Sequence, residues 1–155
     1  MSKVADLMAT EAITANVSET VREVAQRMAG TQVGAVLVMA GDDLVGVFSE
    51  RDLAVRVIAE GRDPATTPVG DVATTDVVTV GADDGIRAAL DKFRIGKFRH
   101  LPVVNDSKLV GILSTRDLLV TAIERLEKYI EQVGYERKTA AGIDPYDHFG
   151  GSYGK

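Results

Sequence analysis

The sequence predicts a mixed α/β (α+β) fold: two tandem β-α-β-β-α repeats packed with pseudo-twofold symmetry, followed by a C-terminal helical extension and tail. Three observations predict it. One register carries the first half of the chain onto the second, each half holds a Gly-x-x-Ser-x-Arg-Asp segment, and both halves show the same succession of apolar patterns. Asp52 and Asp117 stand 65 positions apart, each inside Ser-x-Arg-Asp-Leu. The same offset carries Asp6 onto Asp71, Thr10 onto Thr75, Arg22 onto Arg87, Val38 onto Val103, Gly46 onto Gly111 and Ile58 onto Ile123. No gap is needed from Val4 to Ile123. Unrelated stretches do not hold one register over such a length, so the chain carries a duplication. A unit of about sixty residues buries too little surface by itself, which predicts that the copies pack on each other.

Each element follows in the same order in both copies. A short β-branched segment comes first, Ala12–Ala15 and then Val77–Val80. A helix follows with Val21, Val24, Ala25 and Met28 on one face, or Ile86, Ala89, Leu90 and Phe93, spaced by threes and fours as one buried helical face requires. Ser18 and Asp83 are expected to cap these helices, since a side-chain oxygen there can accept the first unpaired amides. Two strands come next: Ala35–Met39 with Leu44–Phe48, and Leu101–Val104 with Leu109–Leu113. Runs this apolar suggest strands covered on both faces. A second helix begins near Ser49 or Ser114. The segment Glu60–Pro68 holds Gly61, Pro64 and Pro68 and reads as a linker.

The boundaries implied are 1–62 for the first repeat, 63–124 for the second, 125–134 for a helical extension and 135–155 for a tail. Leu119, Ile123, Leu126, Ile130 and Val133 are spaced 4, 3, 4, 3, a heptad seam that carries the last helix to about Val133. The seam either packs on its own domain or pairs with another subunit. The tail is expected to be mobile or weakly docked; Gly150, Gly151 and Gly154 lack the following helix that a phosphate loop needs.

Composition narrows the function. The chain has 155 residues, 45% of them hydrophobic and 26% charged, with a formal net charge of -5. An acidic chain repels a phosphate backbone at long range, which argues against nucleic acid as a partner. There is no cysteine, which excludes disulfides and thiolate chemistry, and only His100 and His148 are available as imidazole ligands, so a zinc site is not expected. The N-terminus lacks the apolar stretch of a secretory signal and the longest apolar runs are too short to span a membrane, which leads to the expectation of a soluble, cytoplasmic protein without membrane contact.

Chemistry concentrates in Gly46-Val47-Phe48-Ser49-Glu50-Arg51-Asp52 and Gly111-Ile112-Leu113-Ser114-Thr115-Arg116-Asp117. Ser49 and Ser114 at a helix start, with Asp52 and Asp117 three residues on, would make capping boxes, and that alone could account for them. The same geometry can also hold a ligand. Free amides and a serine hydroxyl bind phosphate, an aspartate one turn in can accept two bonds from a vicinal diol, and Arg51 or Arg116 can add charge. Gly46 and Gly111 lack a side chain, so a ring or a backbone can approach closely there.

These paired segments, the repeat order and Phe98-Arg99-His100-Leu101-Pro102-Val103-Val104 resemble a tandem pair of CBS domains, a Bateman module, over about Val4 to Ile123. The resemblance implies adenine-containing ligands in clefts between the repeats: AMP, ADP, ATP or NAD, with or without Mg. It places Asp52 and Asp117 on the family's ribose-binding aspartates, Ser49 and Ser114 on the hydroxyl of the motif with Ile112 on the strand before it, and Arg51 and Arg116 beside the phosphate path. It implies crossed sites, Asp117 with Ile13, Val33 and Gly34, and Asp52 with Val78. Arg99 and His100 match a basic pair that reaches phosphate near the centre. The first copy has Gly34 and Ala35 at those positions, which argues against equal affinity at the two clefts.

The function expected is therefore a non-catalytic nucleotide sensor that signals energy or redox state to a separate regulated protein, since no catalytic, transport or DNA-binding domain is recognisable in the chain. It is expected to act as a homodimer. The alternative is a structural or oligomerisation module without a physiological ligand. An enzyme is disfavoured because nothing pairs a nucleophile with an oriented base.

Overall fold

The structure is a computed structural model and describes residues 2–142. The chain divides after Asp117: residues up to there make a two-repeat unit, and the remainder belongs to a second unit. The expectations for Tyr146, His148, Phe149, Gly150, Gly151, Tyr153 and Gly154 lie outside the described residues.

In the first repeat, β1 (Thr14–Asn16) is followed by α1 (Val21–Thr31), β2 (Ala35–Ala40), β3 (Asp43–Ser49) and α2 (Glu50–Asp52), whose helix runs on in π-helical geometry through Leu53–Ile58. The second repeat gives β4 (Val80–Gly81), α3 (Ile86–Gly96), β5 (His100–Asn105), β6 (Lys108–Ser114) and α4 (Thr115–Ala140). The β-α-β-β-α order is the one expected. Each repeat forms its own three-stranded sheet, in which β2 pairs parallel with β1 and antiparallel with β3, and β5 pairs likewise with β4 and β6.

The expected helix caps are corrected. Thr20, not Ser18, caps α1, because Glu23 three residues on completes a reciprocal box: the Glu23 N–H donates to Thr20 Oγ1 and the Thr20 N–H to Glu23 Oε2. The Ser18 hydroxyl donates instead to Asn16 Oδ1. Gly85 stands at the cap of α3, while Asp83 pairs with Lys3 at 2.7 Å. The last helix continues past Val133 to Ala140, because no helix breaker follows until Gly142 and the single Gly134 costs only about 1 kcal/mol.

The repeats are joined by a reciprocal exchange of leading segments. The Val4 and Ala5 N–H groups donate to the Asp84 and Ala82 carbonyls of the second repeat, and Ala9 exchanges two hydrogen bonds with Ile112. At the equivalent positions, the Val69 and Gly70 N–H groups donate to Glu19 and Val17 of the first repeat, and Thr74 exchanges two with Val47. Val4 and Val69 are fully buried, so each repeat's core is closed by the other's leader. Burying a valine contributes about 1.5–3 kcal/mol, which ties the two repeats into one folding unit.

The repeated glycines serve this exchange. A Cβ on Gly111 would lie 2.6 Å from the Ala9 carbonyl oxygen and 2.9 Å from the Met8 sulfur; one on Gly46 would lie 3.1 Å from Ala73 Cβ and 3.2 Å from the Thr74 carbonyl oxygen. What approaches Gly46 and Gly111 is therefore the exchanged leader, through both backbone and side-chain atoms.

The first repeat's core gathers Val21, Val24 and Met28 of α1, Val36, Val38 and Phe48 of the sheet, and Val57 with Val69 and Val72. Val80, Ala89, Phe93, Leu101, Val103 and Leu113 are the buried counterparts in the second.

Candidate functional site

Both repeats place their Ser-x-x-Asp segment where a strand gives way to a helix. At the start of α2, Asp52 Oδ2 accepts from the Ser49 N–H and the Ser49 hydroxyl, both at 2.8 Å, and the Asp52 N–H turns back to Ser49 Oγ. At the start of α4 the Ser114 hydroxyl donates to Asp117 Oδ2 at 2.5 Å and the Asp117 N–H to Ser114 Oγ at 3.1 Å. The capping role read from the sequence is thus present in both copies.

The two aspartates differ in everything else. Asp52 is buried, and its other oxygen accepts from Thr74 Oγ1 at 3.1 Å, with Arg56 Nε 3.5 Å away. Arg56 in turn donates to the Ala73 carbonyl at 3.0 Å, so the carboxylate ties the helix to the segment entering the second repeat. Asp117 is exposed. At the equivalent positions the chain has Ala9, which has no side-chain donor, instead of Thr74, and Thr121, which carries no charge, instead of Arg56.

Asp52 opens onto two adjoining cavities. One, of about 100 Å³, is lined by Ser49, Asp52 and Thr74 on one side and by Val78, Phe98, His100 and Pro102 of the second repeat on the other. The next, of about 490 Å³, brings Glu50, Arg51, Asp52 and Arg56 opposite Lys97, Arg99 and His100. The aspartate of one repeat therefore faces the first strand region of the other, with Asp52 and Val78 in one cavity. Phe98 lines both spaces and sets its ring edge-on to Phe93, with centroids 6.1 Å apart.

Two features of this cavity follow from the sequence at matched positions. In the first repeat the Leu37 N–H donates to the Ile13 carbonyl at 3.0 Å, which begins the β1–β2 ladder. The equivalent residues are Pro102 and Val78, and Pro102 has no N–H to give. Strand β4 accordingly starts only at Val80, and Val78 is left beside the cavity. The second feature is charge. Arg51, Arg56, Lys97 and Arg99 line the larger cavity against the two carboxylates of Glu50 and Asp52, a local cationic excess in an acidic chain.

His100 sits at the junction. Burial and the Arg99 guanidinium push its pKa below the ordinary imidazole value, and Asp117 and Glu50 partly oppose them. Gly34 stands beside it: a Cβ there would lie 3.5 Å from a Glu50 carboxylate oxygen and 3.7 Å from His100 Cε1.

The remaining candidates are placed as follows. Gly34, expected with Asp117, lines the Asp52 cavity. Ile13 and Val33 pack against the first repeat's core, and Ile112 carries the β6 bridge to Ala9. Ser114, Arg116 and Asp117 stand at the start of α4, and none of them lines either cavity at Asp52. The sequence reading missed Arg56, Thr74 and Glu50. Arg56 could have been found, since it stands four residues after Asp52 on a helix, a spacing that brings side chains together. Thr74 reaches Asp52 across 22 residues of chain and left no local signal.

The CBS domain family model matches residues 4–58 and 69–124. The chain belongs to the CBS domain family. A CBS domain-containing protein of Bacillus subtilis is 36% identical over 120 residues, covering 77% of this chain and 85% of that protein. A CBS domain-containing protein of Arabidopsis thaliana is 40% identical over 127 residues, 81% of this chain, which spans about a quarter (24%) of the plant protein's length. Among solved structures, a CBS domain protein from Pyrobaculum aerophilum complexed with AMP is 32% identical, with a TM-score of 0.69 over 76% of this chain and 90% of the other. The tandem CBS pair expected from the repeat is thereby established. No helix among the described residues is long and apolar enough to cross a membrane.

Proposed function

We propose that this CBS pair is a non-catalytic regulatory module that binds an adenine nucleotide in the cleft at Asp52 and passes its occupancy to a separate protein. One observation carries the reading: Asp52 and Ser49 of one repeat face Lys97, Phe98, Arg99 and His100 of the other across a cavity of about 490 Å³, a volume suited to a small ligand. The AMP complex of the Pyrobaculum relative supports it.

Each part of a nucleotide finds its chemistry. The base lies in the smaller cavity against Phe98 and Val78. A carbonyl that Pro102 cannot satisfy accepts from the exocyclic amine of adenine, and a 6-oxo base offers no such donor. The carboxylate of Asp52 has about four acceptor positions, of which three are taken by Ser49 and Thr74, so one remains for a ribose hydroxyl. Phosphate lies toward Arg51, Arg99 and His100, where charge-assisted bonds are the strong ones. Ligand that bridges the repeats favours one relative placement of them, and a partner reads that placement.

Titration calorimetry with AMP, ADP, ATP, NAD, adenosine and IMP tests the proposal. The expected result is binding of at least one adenine nucleotide, weaker binding of adenosine and of IMP, and affinity that falls with salt. Binding of none of them at millimolar concentration overturns it. The structural-module alternative draws on a different observation, that Asp52 already serves as an internal latch to Thr74 and Arg56; it calls for no ligand-dependent shift in melting temperature.

A further inference from the structure

Phe98 lines both cavities at Asp52, and its ring rests on the end of α3. A Cβ at position 96 would overlap that ring, far inside van der Waals distance of its Cε1, Cζ and Cδ1 atoms. We infer that Gly96 is a positioning residue: it seats the Phe98 ring as a wall of the cleft, and a side chain there would push the ring into the space a ligand needs. The bearing on ligand binding rests on the nucleotide function proposed above; the seat itself does not.

The backbone does not ask for this glycine. Gly96 is the last residue of α3 and is not among the residues with positive φ; the left-handed turn belongs to Lys97, with φ of 55°. Alanine is the better helix former at such a position. The first repeat supplies the internal comparison. Its matched helix ends the same way, with Thr31 last and Gln32 left-handed at 56°. There the residue matched to Phe98 is Val33, and Thr31 is accommodated, its hydroxyl donating to the Arg27 carbonyl at 2.7 Å. The glycine thus goes with the aromatic ring and not with the turn.

Packing fixes where a displaced ring goes. On one side the ring meets Gly96 and the buried Phe93, set edge-on with centroids 6.1 Å apart. On the other it borders the smaller cavity, with Val78 and Pro102, and the larger one, with Asp52 and Arg99. Close packing leaves no room behind it, so a methyl at position 96 drives the ring toward Val78 and narrows the cleft. A planar base needs that same space.

Methyl NMR of the ligand-free chain tests the seat, and calorimetry with AMP tests its use. Gly96→Ala should move the Val78 methyl signals, since ring currents shift methyls that an aromatic face approaches, and should lower AMP affinity at least tenfold. In a Phe98→Leu background, which keeps an apolar wall without a ring, the same substitution should leave the Val78 methyls in place and change affinity less than twofold. Val78 methyls unmoved by Gly96→Ala, or moved equally with and without the ring, would overturn the inference. So would a Gly96→Ala variant that binds AMP as well as a wild type that binds it. A wild type that binds no nucleotide overturns the proposed function instead, and the methyl signals then still decide whether Gly96 seats the ring. Thermal melting covers the case in which Gly96→Ala does not fold: with the ring removed by Phe98→Leu, the same change should raise the midpoint, as alanine in place of a helical glycine does, and a lowered midpoint overturns the inference.

Discussion

Removing the carboxylate of Asp52 should cost far more folding stability than removing that of Asp117, although the two residues occupy matched positions of a duplicated motif. Asp52 is 8% exposed and accepts from the Ser49 N–H, the Ser49 hydroxyl and the Thr74 hydroxyl. Alanine there leaves the Thr74 hydroxyl without its partner and removes the carboxylate beside Arg56, which keeps only its bonds to the backbone of the segment entering the second repeat. A hydrogen bond to a charged group contributes about 1.5–3 kcal/mol, and Ser49 can recover water, so the net loss for Asp52→Ala is about 3 kcal/mol. Asp117 is exposed and keeps only the Ser114 box, so its loss is that of a first-turn acidic residue, about 0.3–1 kcal/mol. For a chain of this size one kcal/mol moves the midpoint by about 2–4 °C. Thermal unfolding followed by circular dichroism should therefore fall by about 6–12 °C for Asp52→Ala and by about 1–4 °C for Asp117→Ala. Drops equal within 2 °C would refute the latch, and a Thr74→Ala variant that melts like the wild type would refute its cross-repeat half.

Gly111→Ala should destabilise more than Gly46→Ala, by about 1–3 kcal/mol against about 1 or less in urea unfolding, because its Cβ meets the Ala9 backbone oxygen at 2.6 Å while that of Gly46 has 3.1–3.2 Å. His100 has a depressed pKa in the folded chain, so the unfolded chain takes up the proton first: its contribution is fully present above about pH 6.5 and is lost as pH falls below that, and His100→Gln should flatten stability between pH 7 and 5.5. In the proposed complex, phosphate beside His100 and Arg99 raises that pKa, so AMP affinity should rise as pH falls from 8 and the rise should vanish in His100→Gln; adenosine titrated over the same range should show none. Pro102→Ala restores an N–H opposite Val78 and should bring AMP and IMP affinities within about threefold of each other, a ratio read by calorimetry.

The fold was legible because duplication doubles every signal. A single Ser-x-Arg-Asp is an ordinary helix cap, but two in one register announced the repeat, and the alternating apolar runs then placed six strands and four helices. What failed was local competition and reach. Ser18 and Thr20 both offer a capping oxygen to α1, and the box with Glu23 decided between them. The exchange of leading segments was not legible either, since no periodicity tells which sheet the Val4 or Val69 turn will close. Asp52, Val78, Arg99 and His100, named from the family resemblance, all line the cavities at Asp52, while Thr74 left no signal because its bond to Asp52 is tertiary.

The differences between the copies carry more about function than their agreement does. Residues that match across the 65-residue offset, such as Gly46 with Gly111 and Ser49 with Ser114, serve the architecture both repeats need. The mismatches that matter to the site are those at the Asp52 cleft. Pro102 replaces Leu37 and withholds a ladder donor, Arg99 and His100 replace Gly34 and Ala35 and bring charge, and Arg56 and Thr74 replace Thr121 and Ala9 and fix a carboxylate. Each change by itself costs the fold something: a missing strand bond, cations beside a buried junction, a buried charge. Their presence together around the Asp52 cavities supports the proposal that this cleft takes an anionic, base-bearing ligand.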